Sequence, residues 1–196
     1  MTTAQKTAAL VLVELRANDP EATSALQVAR ARLAAGDRLA SLRRFRLFEL
    51  KGELPAPDEI ESRMHRSTQF WNPSKERGSL LGAGAPGPFA AGEVLLLVTE
   101  RGGERRPAAE RWWRHDGGAR IEVREGVLWA MRWEDGAADE GRAEALAVTT
   151  SSETGLLCNP HAQDWRLLAA GGELPADWIS RRSATRTVRA RRGSGS

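Results

Sequence analysis

A chain of 196 residues, 41% hydrophobic and 28% charged, has the make-up of a water-soluble globular protein. It is long enough for one large domain or two of about 80 residues each. No apolar run approaches the roughly 20 residues that a membrane-spanning helix needs. Met1–Lys6 lead into a strand rather than a signal peptide, so a cytoplasmic protein without membrane contact is expected. A single cysteine, Cys158, excludes an intrachain disulfide and suits a reducing compartment. The net charge of +3 comes from the C-terminus. Without Arg181, Arg182, Arg186, Arg189, Arg191 and Arg192 the balance is 23 basic against 26 acidic residues, and the body is not basic.

Residues 8–16 are almost continuously apolar and read as a strand covered on both faces. Asn18-Asp19-Pro20 ends it and starts a helix, with a capping side chain followed by a proline suited to the first turn. Ala22, Ala25, Leu26, Ala29 and Leu33 form its apolar stripe, and Gly36 closes it. From Leu42 to Leu54 the pattern alternates: Phe45, Leu47 and Glu49 point one way, Arg46, Phe48 and Leu50 the other. Pro55 and Pro57 close that strand. A helix opened by Asp58-Glu59 follows, with Ile60 and Met64 on its core face.

Residues 82–92 shift to Gly, Ala and Pro and read as a linker. The run Gly82-Ala83-Gly84-Ala85-Pro86-Gly87 matches Gly-x-Gly-x-x-Gly in form. A phosphate-binding loop needs a helix to start there, and here the strand Val94–Val98 follows instead. A helix over Pro107–Arg114 carries Trp112-Trp113; adjacent positions on a helix cannot face the same core, so one of the two is expected on a partner-facing surface. Ile121–Trp133 reads as a strand or bent hairpin and Ala138–Leu146 as a helix. Residues 147–158 are rich in Thr and Ser and show no usable period.

Two stretches repeat. Phe70-Trp71-Asn72-Pro73 returns as Leu157-Cys158-Asn159-Pro160, and the elements before each Asn-Pro follow the same order: strand, helix, strand, helix. The division expected is 8–81 as a first unit, 82–92 as linker, 93–168 as a second unit and 169–196 as an extension with a disordered arginine-rich tail. The class is α+β, two βαβ-type repeats that gain stability by joining their sheets.

Each unit resembles the small PurS subunit of phosphoribosylformylglycinamidine synthase. The likeness rests on Asp19-Pro20, Arg44-Phe45-Arg46-Leu47-Phe48-Glu49-Leu50 and Phe70-Trp71-Asn72-Pro73. In the second half it rests on Arg124-Glu125-Gly126-Val127-Leu128-Trp129 and Leu156-Leu157-Cys158-Asn159-Pro160. The glycine-bearing segment usual before the first helix is not recognisable, and the second copy lacks the Asp-Pro. The resemblance implies a tandem, ferredoxin-like pseudo-dimer. It also implies a non-catalytic accessory role in purine biosynthesis, bridging an ATP-using synthetase and a glutaminase, with no cofactor of its own. Candidate contacts to a partner or ligand are then Asn72, Pro73, Asn159, Pro160, Arg44, Arg124 and Trp113.

An Asn before Pro is equally a turn former whose side chain binds local backbone. Cys158 and His161 give a Cys-x-x-His pair, half of a zinc set, with no second pair at usable spacing, and Cys158 reads as a small buried residue. The histidines His65, His115 and His161 are scattered and no catalytic constellation stands out. The six tail arginines are candidates for nonspecific polyanion or nucleic-acid contact, against the simpler reading of a solubilising tail.

Overall fold

The computed structural model describes residues 7–81, 87–151, 154–169 and 174–180. Six strands form one open antiparallel sheet: β1 (Thr7–Leu15), β2 (Leu39–Gly52), β3 (Glu76–Leu81), β4 (Val94–Glu100), β5 (Ile121–Trp133) and β6 (Gln163–Ala169). Their order is β3-β1-β2-β5-β4-β6. Four helices, α1 (Pro20–Arg32), α2 (Pro57–His65), α3 (Pro107–His115) and α4 (Glu140–Ala147), lie in the connections. The expected α+β class is observed. The strands that α1 and α3 join lie side by side and run antiparallel, unlike the parallel pair of a βαβ crossover. Ile121–Trp133 is one unbroken strand and not a hairpin.

Helix starts follow local chemistry. Asp19 Oδ1 accepts from the N–H groups of Glu21 at 2.8 Å and Ala22 at 3.2 Å, and Asp139 Oδ1 accepts from Arg142 N–H at 3.0 Å. Pro20, Pro57 and Pro107 occupy first turns, where a missing N–H costs nothing. The segment after α4, which the sequence left unassigned, folds back on the helix end. There the N–H groups of Gly155, Leu156 and Leu157 bond the carbonyls of Ala145, Leu146 and Ala147. Gly155 is required at this turn: its φ is 79°, and a Cβ would lie 2.1 Å from Thr149 N.

The helices pair across the two halves. α1 and α4 cover one region with Leu42, Val94, Leu96, Trp129, Met131 and Trp133. α2 and α3 cover another with Val11, Val13, Phe48, Leu50, Phe70, Trp71 and Val123. Strand alternation sends Leu10, Leu12, Phe45, Leu47, Leu95, Leu97, Leu128 and Ala130 to the opposite face. That face carries no helix. It is covered by Phe89, which meets Phe45 edge-on at 5.7 Å, and by Leu174, Trp178 and Ile179.

Two buried carboxylates hold these covers down. Glu93 binds Arg43 Nη2 at 2.8 Å and accepts from Ala90 N–H at 2.7 Å, which holds the described part of the expected linker, residues 87–92, on the sheet. Glu49, 1% exposed, accepts from the N–H groups of Ile179 at 2.7 Å and Ser180 at 2.9 Å. Residues 174–180 of the C-terminal extension thus pack onto the core. The tail from Arg181, expected to be disordered, lies outside the described residues. Trp178→Ala should lower stability by roughly 3–5 kcal/mol in urea melts, as large aromatic truncations in cores do. A loss below about 1 kcal/mol would show that the extension is not core.

Candidate functional site

The repeated Asn-Pro stretches form the same turn twice. Asn72 Oδ1 accepts from Ser74 N–H at 3.0 Å, and Asn72 N–H donates to Glu76 Oε2 at 2.7 Å. Asn159 Oδ1 accepts from His161 N–H at 3.0 Å, and Asn159 N–H donates to Gln163 Oε1 at 2.9 Å. The carbonyls of Asn72 and Asn159 accept from Glu76 and Gln163 N–H respectively. An arginine at the end of the neighbouring strand locks each turn. Arg16 Nε donates to the carbonyls of Pro73 at 3.1 Å and Glu76 at 3.2 Å. Arg101 donates to the carbonyls of Pro160 at 3.0 Å and His161 at 3.3 Å. The side-chain oxygens of both asparagines are therefore engaged in turn formation, and the prolines present their carbonyls to these arginines. Sequence reasoning missed Arg16 and Arg101; the signal available was the shared Asn-Pro-x-x-Glu/Gln spacing.

Strand register fixes how the halves correspond. Arg16 matches Arg101, an offset of 85, and Asn72 matches Asn159, an offset of 87. The β1·β2 and β4·β5 ladders then relate β2 to β5 by 81, so that Val13↔Arg46 corresponds to Val98↔Val127. Arg124 thus corresponds to Arg43, not to Arg44, and the expected pairing of Arg44 with Arg124 is one residue out. A one-residue slip places side chains on opposite faces, and so it is here. Arg124 shares the helix-free face with Glu49, its partner across the ladder, and Arg44 shares the helix face with Trp129, its own.

Arg44, on β2, lies beyond the end of the β1 ladder, where Glu14–Asp19 and Leu42–Phe45 line a cleft of about 330 Å³. Its guanidinium is 3.1 Å from Glu21 and 3.5 Å from Asp19 and sits 5.8 Å from the Trp129 ring, while Nε is buried with no partner. Arg124 is held by Glu104 and Glu122. A charged chain runs between the halves: Glu76 meets Arg46 at 3.3 Å, Arg46 meets Glu125 at 2.6 Å, and Glu125 meets Arg106 at 2.5 Å.

Other sequence candidates fall elsewhere. Trp113 is wholly buried between α2 and α3, packed at 6.3 Å against Phe70, and cannot meet a partner; its neighbour Trp112 is only half-buried. The helix turns Trp113 inward because that is the one face it shares with the sheet. Cys158 is buried beside α4, and burial, with help from Asp164 and Glu100, pushes its thiol up to about 11. It stays protonated and unreactive at neutral pH. Glu110 is moved the other way: burial opposes ionisation, but Arg105 and the Val123 N–H together hold its carboxyl below the ordinary range. Among the described residues no three His, Cys, Asp or Glu side chains gather to hold a metal, and no helix is long and apolar enough to cross a membrane. The tail arginines Arg181 to Arg192 lie outside the described residues.

Compared with known proteins, the chain matches no family model, no curated protein and no solved structure.

The two turns sit at opposite edges of the sheet and share no partner. Asn72→Ala and Asn159→Ala should each cost about 1 kcal/mol, and the double variant should equal their sum within roughly 0.5 kcal/mol. Unchanged melting of both single variants would contradict a turn-forming role.

Proposed function

We propose that this chain is a non-catalytic interaction protein, a tandem pseudo-dimer of two PurS-like units that serves as an accessory subunit. In its specific form, the reading has the chain bridge a synthetase and a glutaminase in formylglycinamidine ribonucleotide synthesis. One observation carries it: both halves run strand, helix, strand, helix, strand, and both close on an arginine-locked Asn-Pro turn. Such pairing of like units along one sheet is how a two-fold dimer of small subunits would look if its chains were fused.

The charge distribution supports an interaction role over stand-alone chemistry. Ionisable side chains of the central strands are engaged in holding elements together, as Arg46 is with Glu125, Arg43 with Glu93 and Arg44 with Asp19 and Glu21. The accessory subunit would act through surfaces, and the pathway assignment rests on the sequence resemblance.

The test is affinity capture from the source organism's lysate with the full chain as bait, followed by glutamine-dependent synthetase assays. The reading predicts recovery of an ATP-dependent synthetase together with a glutaminase, and a rise in glutamine-dependent turnover when the chain is added. Recovery of neither, with no change in turnover, would overturn the pathway assignment.

A further inference from the structure

The sheet ends in two edge strands that are finished differently. β3 pairs only with β1, and β6 only with β4. The phase of each outer ladder is set by Lys75 and Ala162, whose carbonyls accept from Arg16 and Arg101 N–H. Backbone groups point alternately toward and away from the neighbouring strand. Glu76, Gly78 and Leu80 therefore turn theirs outward on β3, and Gln163, Trp165 and Leu167 do so on β6.

The outward side of β3 is closed. Leu80 N–H donates to Glu61 Oε1 of α2 at 3.0 Å, and Gly78 lies against the Trp71 ring, which a Cβ would approach to 2.6 Å. A carboxylate set on an edge amide blocks the approach of another strand. On β6 the corresponding positions are open. With the helix caps Ala56 and Asp139 aligned, Glu144 is the counterpart of Glu61, yet Leu167 N–H receives no side chain among the described residues. The aromatic ring has also changed place: Trp71 and Gly78 correspond to Cys158 and Trp165, so the second half carries its tryptophan on the edge strand itself. Trp165 and Leu167 are half-buried against the cluster under α1 and α4. Their outward N–H and C=O groups have no partner among the described residues.

The charge order along β6 selects what pairs with it. Asp164 and Arg166 flank Trp165 on the helix-free face. Arg166 is oriented there by its bond to the Trp178 carbonyl, and Asp164 is exposed, with Oδ1 3.3 Å from Arg101. An edge strand that meets its own copy about a two-fold axis runs antiparallel to it. Centred on Asp164 or on Arg166, the pairing sets like charges directly opposite, which is unfavourable. Centred on Gln163 or Leu167, it forms no charge pair. Centred on Trp165, it sets Asp164 opposite Arg166 twice and lets the two Trp165 residues exchange both of their N–H···O=C bonds. Leu167 N–H then donates to the Gln163 carbonyl of the other copy, while Gln163 N–H stays with the Asn159 carbonyl. β3 has no such self-match, since Arg77 and Ser79 flank Gly78.

We propose that β6 is the interface of a two-fold homodimer, in which the β6 strands of two copies pair antiparallel about Trp165 and join their sheets edge to edge. The occupant is a second copy because the charges of β6 complement themselves in that one register. The inference rests on the edge chemistry and does not need the purine-pathway reading.

Light scattering on the full chain should give twice the 21.4 kDa chain mass at high concentration and fall toward the single mass on dilution. Hydrogen exchange at Trp165 and Leu167 N–H should slow as the concentration rises, with Gly78 N–H unchanged. Asp164→Arg sets like charges opposite at both ends of the pairing and should weaken self-association about tenfold. Leu167→Pro removes only an outward N–H, which an edge strand tolerates, and should keep a folded spectrum while losing the doubled mass. A single mass at every concentration would overturn the proposal. So would concentration-dependent protection confined to other strands, or a dimer that both variants leave unchanged.

Discussion

Everything in this fold depends on the pairing of β2 with β5. The two strands run antiparallel from Leu39↔Trp133 to Gly52↔Ile121, the longest ladder in the sheet. It places the halves in one sheet, and it sets the helix face and the helix-free face for both at once, since strand alternation is shared along a ladder. The helices respect that joint frame rather than their own half: α1 packs with α4 and α2 with α3. Neither half has a core of its own to retire to. Units of about 80 residues are marginal alone and gain most from sharing apolar surface.

The halves share an order of elements and a turn geometry, and differ in the chemistry placed on them. The helix N-cap residue after the first strand of each half lies next to the same position of the middle strand: Asp19 beside Arg44, and Arg106 beside Glu125. The ion pair is kept and its polarity inverted, which is possible because attraction depends on the product of the charges and not on which element carries which. Likewise Glu76 of the first turn has Gln163 as its counterpart. Both accept an N–H from their asparagine; Glu76 also meets Arg46, whose counterpart in the second half is Val127. Register and turn closure constrain the backbone at every pair, whereas a partly exposed polar contact can be rebuilt by several residue types.

The elements themselves were legible because their signals are local. Asp19-Pro20 caps α1, alternation from Phe45 to Leu50 assigns the faces of β2 correctly, and Asn-Pro marks both turns. Three features depended on distant partners and were not legible. The correspondence of Arg124 with Arg43 depends on ladder register, which residue types alone left one position off. The inward turn of Trp113 depends on where α3 meets Phe70. The docking of residues 174–180 depends on Glu49, a carboxylate more than a hundred positions earlier that looks like any strand-face charge until its two N–H partners are seen. The cleft beside Arg44 was hidden for the same reason.

The central claim is that the halves form one cooperative sheet through β2 and β5. Native-state hydrogen exchange on the full chain tests it most directly. Amides of Arg43–Lys51 and Glu122–Ala130 should exchange only through global opening, at a single free energy equal to that from denaturant melts. Two separate opening free energies, one for residues 7–81 and another for 93–169, would mean that the halves fold as independent units and would contradict the account.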